Sequence, residues 1–229
     1  DGDIDVLVAS NRDDTVSWWE NNGSESFTEH VITSSADGAR FVSAEDMDGD
    51  GDMDILTAAY IDDTFSWWEN NGSESFTEHV ITSTANGATK IIAIDMDGDG
   101  DMDIVTASKL DNTVSWWENN GSESFTEHVI TSSAGGVSDI IAIDMDGDGD
   151  LDIISSTFTD NTVSWWENNG SESFTEYTLT TSDTGVSTIF AIDVDGDNNI
   201  DVISGASTID TVTWWRQLPP PTGQPTGQP

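Results

Sequence analysis

The apolar positions of this chain fall in short bursts separated by runs of Asp, Gly, Asn and Ser. No stretch sustains a 3.6-residue rhythm, so the pattern predicts strands and almost no helix. The bursts return every 49 residues, a period that signals the stacked sheets of a propeller or a solenoid. Each repeat predicts four strands, spanning 89–94, 103–108, 113–118 and 125–131 in one copy. Its first strand, Ile91-Ile92-Ala93-Ile94, is apolar at consecutive positions, as expected of a strand covered on both faces. Its third carries the tandem Trp116-Trp117, whose side chains must point to opposite faces, one indole on either side of the sheet.

That pair recurs at Trp18-Trp19, Trp67-Trp68, Trp165-Trp166 and Trp214-Trp215, which accounts for all ten tryptophans. Sheets sandwiched between similar sheets are the layout of propeller blades. The expected fold class is therefore all-β, a β-propeller of four-stranded blades. About five units are visible over 1–217, with breaks near 45, 94, 143 and 192. A sugar-stacking platform is the rival reading of the Trp pairs, but mid-strand placement in every unit favours core packing. The first unit lacks its opening strand and the last its closing strand, which leaves 18 strands, neither four nor five whole blades. Three arrangements fit: a piece of a larger ring, a five-bladed ring with two imperfect blades, or open edges completed by a neighbouring chain.

The polar runs are as regular as the apolar ones. Asp95-Met96-Asp97-Gly98-Asp99-Gly100-Asp101-Met102-Asp103 joins the first predicted strand to the second, and it recurs from Asp46, from Asp144 and, altered, from Asp193. Carboxylates at loop positions 1, 3, 5 and 9 can converge if the chain turns sharply at position 6, where Gly51, Gly100 and Gly149 supply a left-handed residue. All donors are oxygens, which selects a hard cation, and a flexible carboxylate-rich shell favours Ca²⁺ over Mg²⁺. Side-chain ligands are expected from Asp46, Asp48, Asp50 and Asp54, from Asp95, Asp97, Asp99 and Asp103, and from Asp144, Asp146, Asp148 and Asp152. The backbone carbonyls of Asp52, Asp101 and Asp150 complete each set at position 7. The fourth loop keeps Asp193, Asp195, Asp197 and Asp201, but Asn198 takes the turn and Asn199 takes position 7. Asn tolerates the left-handed region, so this site is expected to persist in weaker form. That makes about four Ca²⁺ sites. The opening Asp1-Gly2-Asp3-Ile4-Asp5 is a remnant without positions 1 and 3. An EF-hand begins alike, but it needs a bidentate Glu at position 12, where this chain has Thr57, Thr106 or Ser155.

The loop, the apolar strand before it and the small-residue ending of the strand after it (Thr106-Ala107-Ser108) resemble the FG-GAP/VCBS family of β-propeller repeats. That family includes the calcium-loop blades of integrin alpha-subunits and several fungal and bacterial lectins. The resemblance covers about residues 1–216. It implies fold and metal strongly and function weakly, because the family serves adhesion, sugar binding and scaffolding alike.

The balance of 45 acidic against 5 basic residues gives a net charge of −40, far more than four divalent ions neutralise. Such a field repels nucleic acid and anionic membranes and destabilises a cation-free fold. There is no Cys, so disulfides give no hint of compartment. Loops of this kind bind calcium in the extracellular range, and no apolar run approaches the roughly 20 residues that span a bilayer. An extracellular or cell-surface setting is expected. The sequence opens in mid-motif, compatible with a leader or earlier repeats ahead of it.

Strand parity puts the acidic loops and the loops between third and fourth strands on one side of the molecule. The latter carry Asn-Gly-Ser at Asn22, Asn71, Asn120 and Asn169, four N-glycosylation sequons that also read as hairpin turns. The opposite side carries the variable loops Asn11-Arg12, Tyr60-Ile61, Lys109-Leu110, Phe158-Thr159 and Thr208-Ile209, with Arg40 and Lys90 nearby. A specific ligand is expected there, if there is one; unconstrained drift explains the variation equally well. His30, His79 and His128 share one strand position with Tyr177, an exchange that suits packing rather than catalysis. No nucleophile elbow, HExxH or phosphate-cradling loop is present, so no enzyme is expected. From residue 218 the chain turns to a Pro-Thr-Gly-Gln rhythm. This reads as an extended stalk or linker over 218–229, with Thr222 and Thr226 as O-glycosylation candidates. The expectation is a structural or adhesive module that partners itself, other extracellular proteins or glycans. A lectin using the variable loops is the alternative.

Overall fold

The computed structural model describes residues 2–171 and 173–217. The stalk with Thr222 and Thr226, and Asp1 of the remnant loop, lie outside the described residues. Among the described residues there is no helix, and eighteen strands form five sheets. The first sheet holds β1 (Val6–Ser10), β2 (Thr15–Asn21) and β3 (Phe27–Thr33). The second holds β4 (Ala39–Glu45), β5 (Asp54–Ala59), β6 (Thr64–Asn70) and β7 (Phe76–Thr82). The third holds β8 (Ala88–Ile94), β9 (Asp103–Ser108), β10 (Thr113–Asn119) and β11 (Phe125–Thr131). The fourth holds β12 (Val137–Ile143), β13 (Asp152–Thr157), β14 (Thr162–Asn168) and β15 (Phe174–Thr180). The fifth holds β16 (Val186–Ile192), β17 (Asp201–Ala206) and β18 (Thr211–Trp215).

Each sheet is an antiparallel meander in chain order. The sequence places β9 and β11 at their observed bounds and misses one residue on each neighbour. β8 starts at Ala88, which pairs with Ser108 ahead of a bulge, and β10 runs on to Asn119, which pairs with Phe125. In β8 the bulge leaves Thr89 unpaired without ending the ladder, so the strand begins one residue before the predicted one does.

One apolar cluster lies at each junction between consecutive sheets. Leu56, Phe65 and Trp67 of the second sheet meet Ile91, Ile104 and Trp117 of the third. Val16 of the first meets Ile55 and Trp68 of the second. Trp67 and Trp68 thus serve different junctions, one on each face, as the tandem requires. Each such side chain contributes about 1.5–3 kcal/mol when taken fully from water. The second strands β5, β9 and β13 are buried at every residue, as befits strands covered on both sides.

Among the described residues the two ends of the stack are open. Val212 is 78% exposed where its counterpart Val163 is fully buried, and Phe190 and Trp214 beside it are also exposed. At the other end Val6 and Val8 of β1 are exposed, whereas Ile55, the counterpart of Val6, is buried. A closed five-bladed ring, one of the arrangements the sequence allows, would bury both faces. It is not the arrangement found.

Candidate metal centre

Each acidic loop leaves the first strand of a sheet and returns as the second, so the sheet fixes both of its ends. Carboxylate oxygens of Asp46, Asp48 and Asp50 lie within 4.8 Å of one another, as do those of Asp95, Asp97 and Asp99 and those of Asp193, Asp195 and Asp197. In the third loop the trio is Asp144, Asp146 and Asp152. The turn geometry follows the sequence expectation: φ is +98° at Gly100 and +68° at Asn198. The first carboxylate organises the bend, for Asp95 accepts the backbone N–H groups of Gly98 at 2.8 Å and Gly100 at 3.1 Å.

The structure divides the predicted ligands into two groups. Positions 1, 3 and 5 are drawn together in three loops. The last Asp is a brace, and in the third loop Asp152 joins the cluster as well: Asp103 accepts the N–H of Met96 at 3.0 Å and that of Asn119 at 2.7 Å, tying the loop to β10. Asp54, Asp152 and Asp201 make the equivalent pairs of bonds. Burial pushes Asp103 and Asp152 up to about 6 and raises Asp54, in each case against those two backbone donors. The indole N–H groups of Trp67, Trp116 and Trp165 pull Asp54, Asp103 and Asp152 downward without completing a hydrogen bond of ordinary geometry. The Asp side chains at position 7 point elsewhere. Any side chain at Gly72, Gly121 or Gly170 would collide with Asp52, Asp101 or Asp150, so the acidic loops and the sequon loops share one side of the molecule. Asn199 at this position donates its side-chain N–H to Asp197 at 2.9 Å.

The donor set fits a hard divalent cation. Oδ1 of Asp46 is buried and has no hydrogen-bond partner, a costly state for an anionic oxygen unless a cation is beside it. Three clustered carboxylates repel one another for the same reason.

The sequon loops are not two-residue hairpins. Asn22 to Ser26 form a five-residue loop closed by a 3.1 Å bond from Asn22 N–H to the Ser26 carbonyl. The Asn22 side-chain oxygen accepts the Ser24 hydroxyl at 2.7 Å, and Asn22, Asn71, Asn120 and Asn169 are all exposed. His30, His79 and His128 stack on Trp18, Trp67 and Trp116 at 4.3, 4.5 and 4.6 Å, and Tyr177 stacks on Trp165 at 4.9 Å. The histidines also reach Glu20, Glu69 and Glu118. Tyr keeps both the ring and the polar tip, hence the exchange.

On the opposite side Arg40, Lys90 and Lys109 are already engaged. Arg40 lies over the Tyr60 ring at 5.1 Å, Lys109 over Phe158 at 4.9 Å and Lys90 over Phe41 at 4.4 Å. Lys90 also pairs with Asp139 at 3.0 Å. In the fifth loop the glycine contacts place Thr208 level with Ile61 and Thr159, so Ser207 is the counterpart of Tyr60.

Sequence reasoning missed Arg216. It binds Asp195 through Nε at 2.8 Å and Asp197 through Nη2 at 2.9 Å. Aligning the repeats would have flagged it, since Glu20, Glu69, Glu118 and Glu167 hold the same place.

Repeated four-stranded sheets with acidic loops in step define an all-β tandem-repeat protein. The model of the FG-GAP-like repeat matches residues 1–57, 46–106, 95–155 and 144–204. The chain belongs to the FG-GAP-like repeat family. A search of curated proteins returns no match. Among solved structures, the chain is similar to an Agrocybe aegerita lectin described as recognising non-reducing terminal N-acetylglucosamine. Identity is 18% and the TM-score 0.57, over 88% of this chain and 60% of that one. It is similar to the V. cholerae biofilm matrix protein Bap1 at 16% identity and TM-score 0.55, over 92% of this chain and 36% of that one. A streptogramin B lyase matches at 15% identity and TM-score 0.58, over 94% and 66%. The chain thus spans about 60% of the lectin's length. A lectin, a matrix protein and a lyase on one architecture show the fold alone.

Among the described residues no helix is long and apolar enough to cross a membrane.

Proposed function

We propose that this chain is a non-enzymatic, calcium-stabilised β-propeller module of the extracellular space, a structural building block that joins copies of itself end to end. The observation that carries this reading is the pair of open apolar end faces. Phe190 and Val212 stand in the register of Ile141 and Val163, which pack against the following sheet, and Val6 stands in the register of Ile55, which packs against the preceding one. One end therefore offers the leading half of a junction the fold already builds, and the other end the trailing half. Exposed apolar faces of this kind mark interaction sites. A contact between two different faces extends into a filament when its rotation does not close. Exposed sequons, a Pro/Thr-rich stalk sequence and oxygen-only metal loops support a glycosylated surface or matrix setting.

The test is sedimentation of the calcium-loaded chain with one face spoiled at a time. Phe190→Asp and Val6→Asp are each expected to be monomeric where the parent chain forms oligomers. An equimolar mixture of the two should stop at dimers, because only one intact junction remains. A parent chain that stays monomeric at all concentrations, or variants that assemble as it does, would sink the reading.

A lectin is the second reading, favoured by the cation–aromatic pairs of Arg40 with Tyr60 and Lys109 with Phe158 on the variable side. Glycan-array binding lost in Tyr60→Ala and Phe158→Ala would support it.

A further inference from the structure

The fourth acidic locus departs from the other three at three places that change its charge or its turn. Asn198 replaces the turn glycine, Asn199 replaces the position-7 Asp, and Arg216 stands where the other sheets have Glu69, Glu118 and Glu167. The loop itself has not collapsed. Gly196 and Asn198 still donate their backbone N–H groups to Asp193, at 2.7 and 2.9 Å. Asp193, Asp195 and Asp197 are clustered as tightly as their counterparts. What differs is that a guanidinium sits against two of the three carboxylates, bonded to Asp195 and Asp197 at 2.8 and 2.9 Å.

Charge makes the same point. Five aspartates and a glutamate give each of the first three loci six negative charges; four aspartates and an arginine leave the fourth with three. A divalent ion brings the first three to four, so the fourth without an ion already carries one negative charge fewer than the others with one. The guanidinium holds its proton throughout the accessible pH range, and its planar fork suits paired carboxylates better than an ammonium would.

We propose that Arg216 is a built-in cation that takes the place of the metal in the fourth loop, so that the chain binds three calcium ions rather than four. The sequence expectation of a weakened fourth site is replaced by that of a site that folds without metal. This rests on the reading that the other three loops hold calcium, and the experiment separates the two.

The experiment is equilibrium dialysis of the full 229-residue chain against calcium at about 0.15 M salt, which screens diffuse binding. Three ions per chain are expected. Arg216→Glu, which restores the residue of the other sheets, is expected to bind four, and Arg216→Gln serves as a second variant with the same count at weaker affinity. Asp195→Asn in the parent chain should leave the count at three, whereas Asp97→Asn should lower it. Four ions in the parent chain, or three in both Arg216 variants, would overturn the role of Arg216 while leaving the calcium reading intact. No bound ion on a folded chain would remove the calcium reading itself.

Discussion

The indole of Trp19 has a buried N–H with no partner. Its counterparts are satisfied: Trp68, Trp117, Trp166 and Trp215 donate to Thr57, Thr106, Ser155 and Ser204 at 2.9–3.0 Å. The first sheet has Val8 where those hydroxyls stand. Val8→Thr is therefore expected to stabilise the chain by about 1 kcal/mol, read as a higher urea midpoint at unchanged slope. Thr106→Val should do the reverse, costing about 1–3 kcal/mol because it orphans the Trp117 N–H in the core. The repeat makes the comparison internal, since the same pair is present in four sheets and broken in one.

At the scale of the loop, two of the brace carboxylates, Asp103 and Asp152, respond to pH. Asp103 and Asp152 are raised from 3.8 to about 6 by burial, so the metal-free fold favours their protonated forms. Its stability is then greatest below the unfolded value and declines as pH rises from about 4 through about 6. A cation in the same loop favours the charged forms, so calcium affinity should weaken as pH falls below about 6. Calcium titrations and urea melts of the chelated chain across that window measure both slopes, and slopes of the opposite sign would refute the assignment. The strands, the paired faces of each Trp tandem and the sharp loop turns were legible in the sequence, because periods of two and of 49 residues state them directly. The role of the last loop Asp was not, because a carboxylate that braces Met96 and Asn119 is written with the same letter as one that faces an ion. Nor was the open end of the stack, since Phe190 and Val212 read as core residues and only the missing neighbour exposes them.

Over the whole molecule, self-repulsion sets the conditions for folding. A net charge of −40 with emptied loops should lower the melting temperature on chelation, and added sodium chloride should recover part of the loss by screening. With calcium present the salt response is expected to be much smaller, and calorimetry of the four combinations would expose a chain that ignores both. The sheets contact one another in chain order through closely similar junctions, the arrangement in which stability is a sum over neighbours. Because Ile94 and Ile143 end equivalent strands, excising residues 95–143 would splice like to like and leave the remaining junctions of the same kind. The described junctions consequently carry no instruction for how many layers to build: the number of layers is a quantity the fold tolerates rather than one it measures.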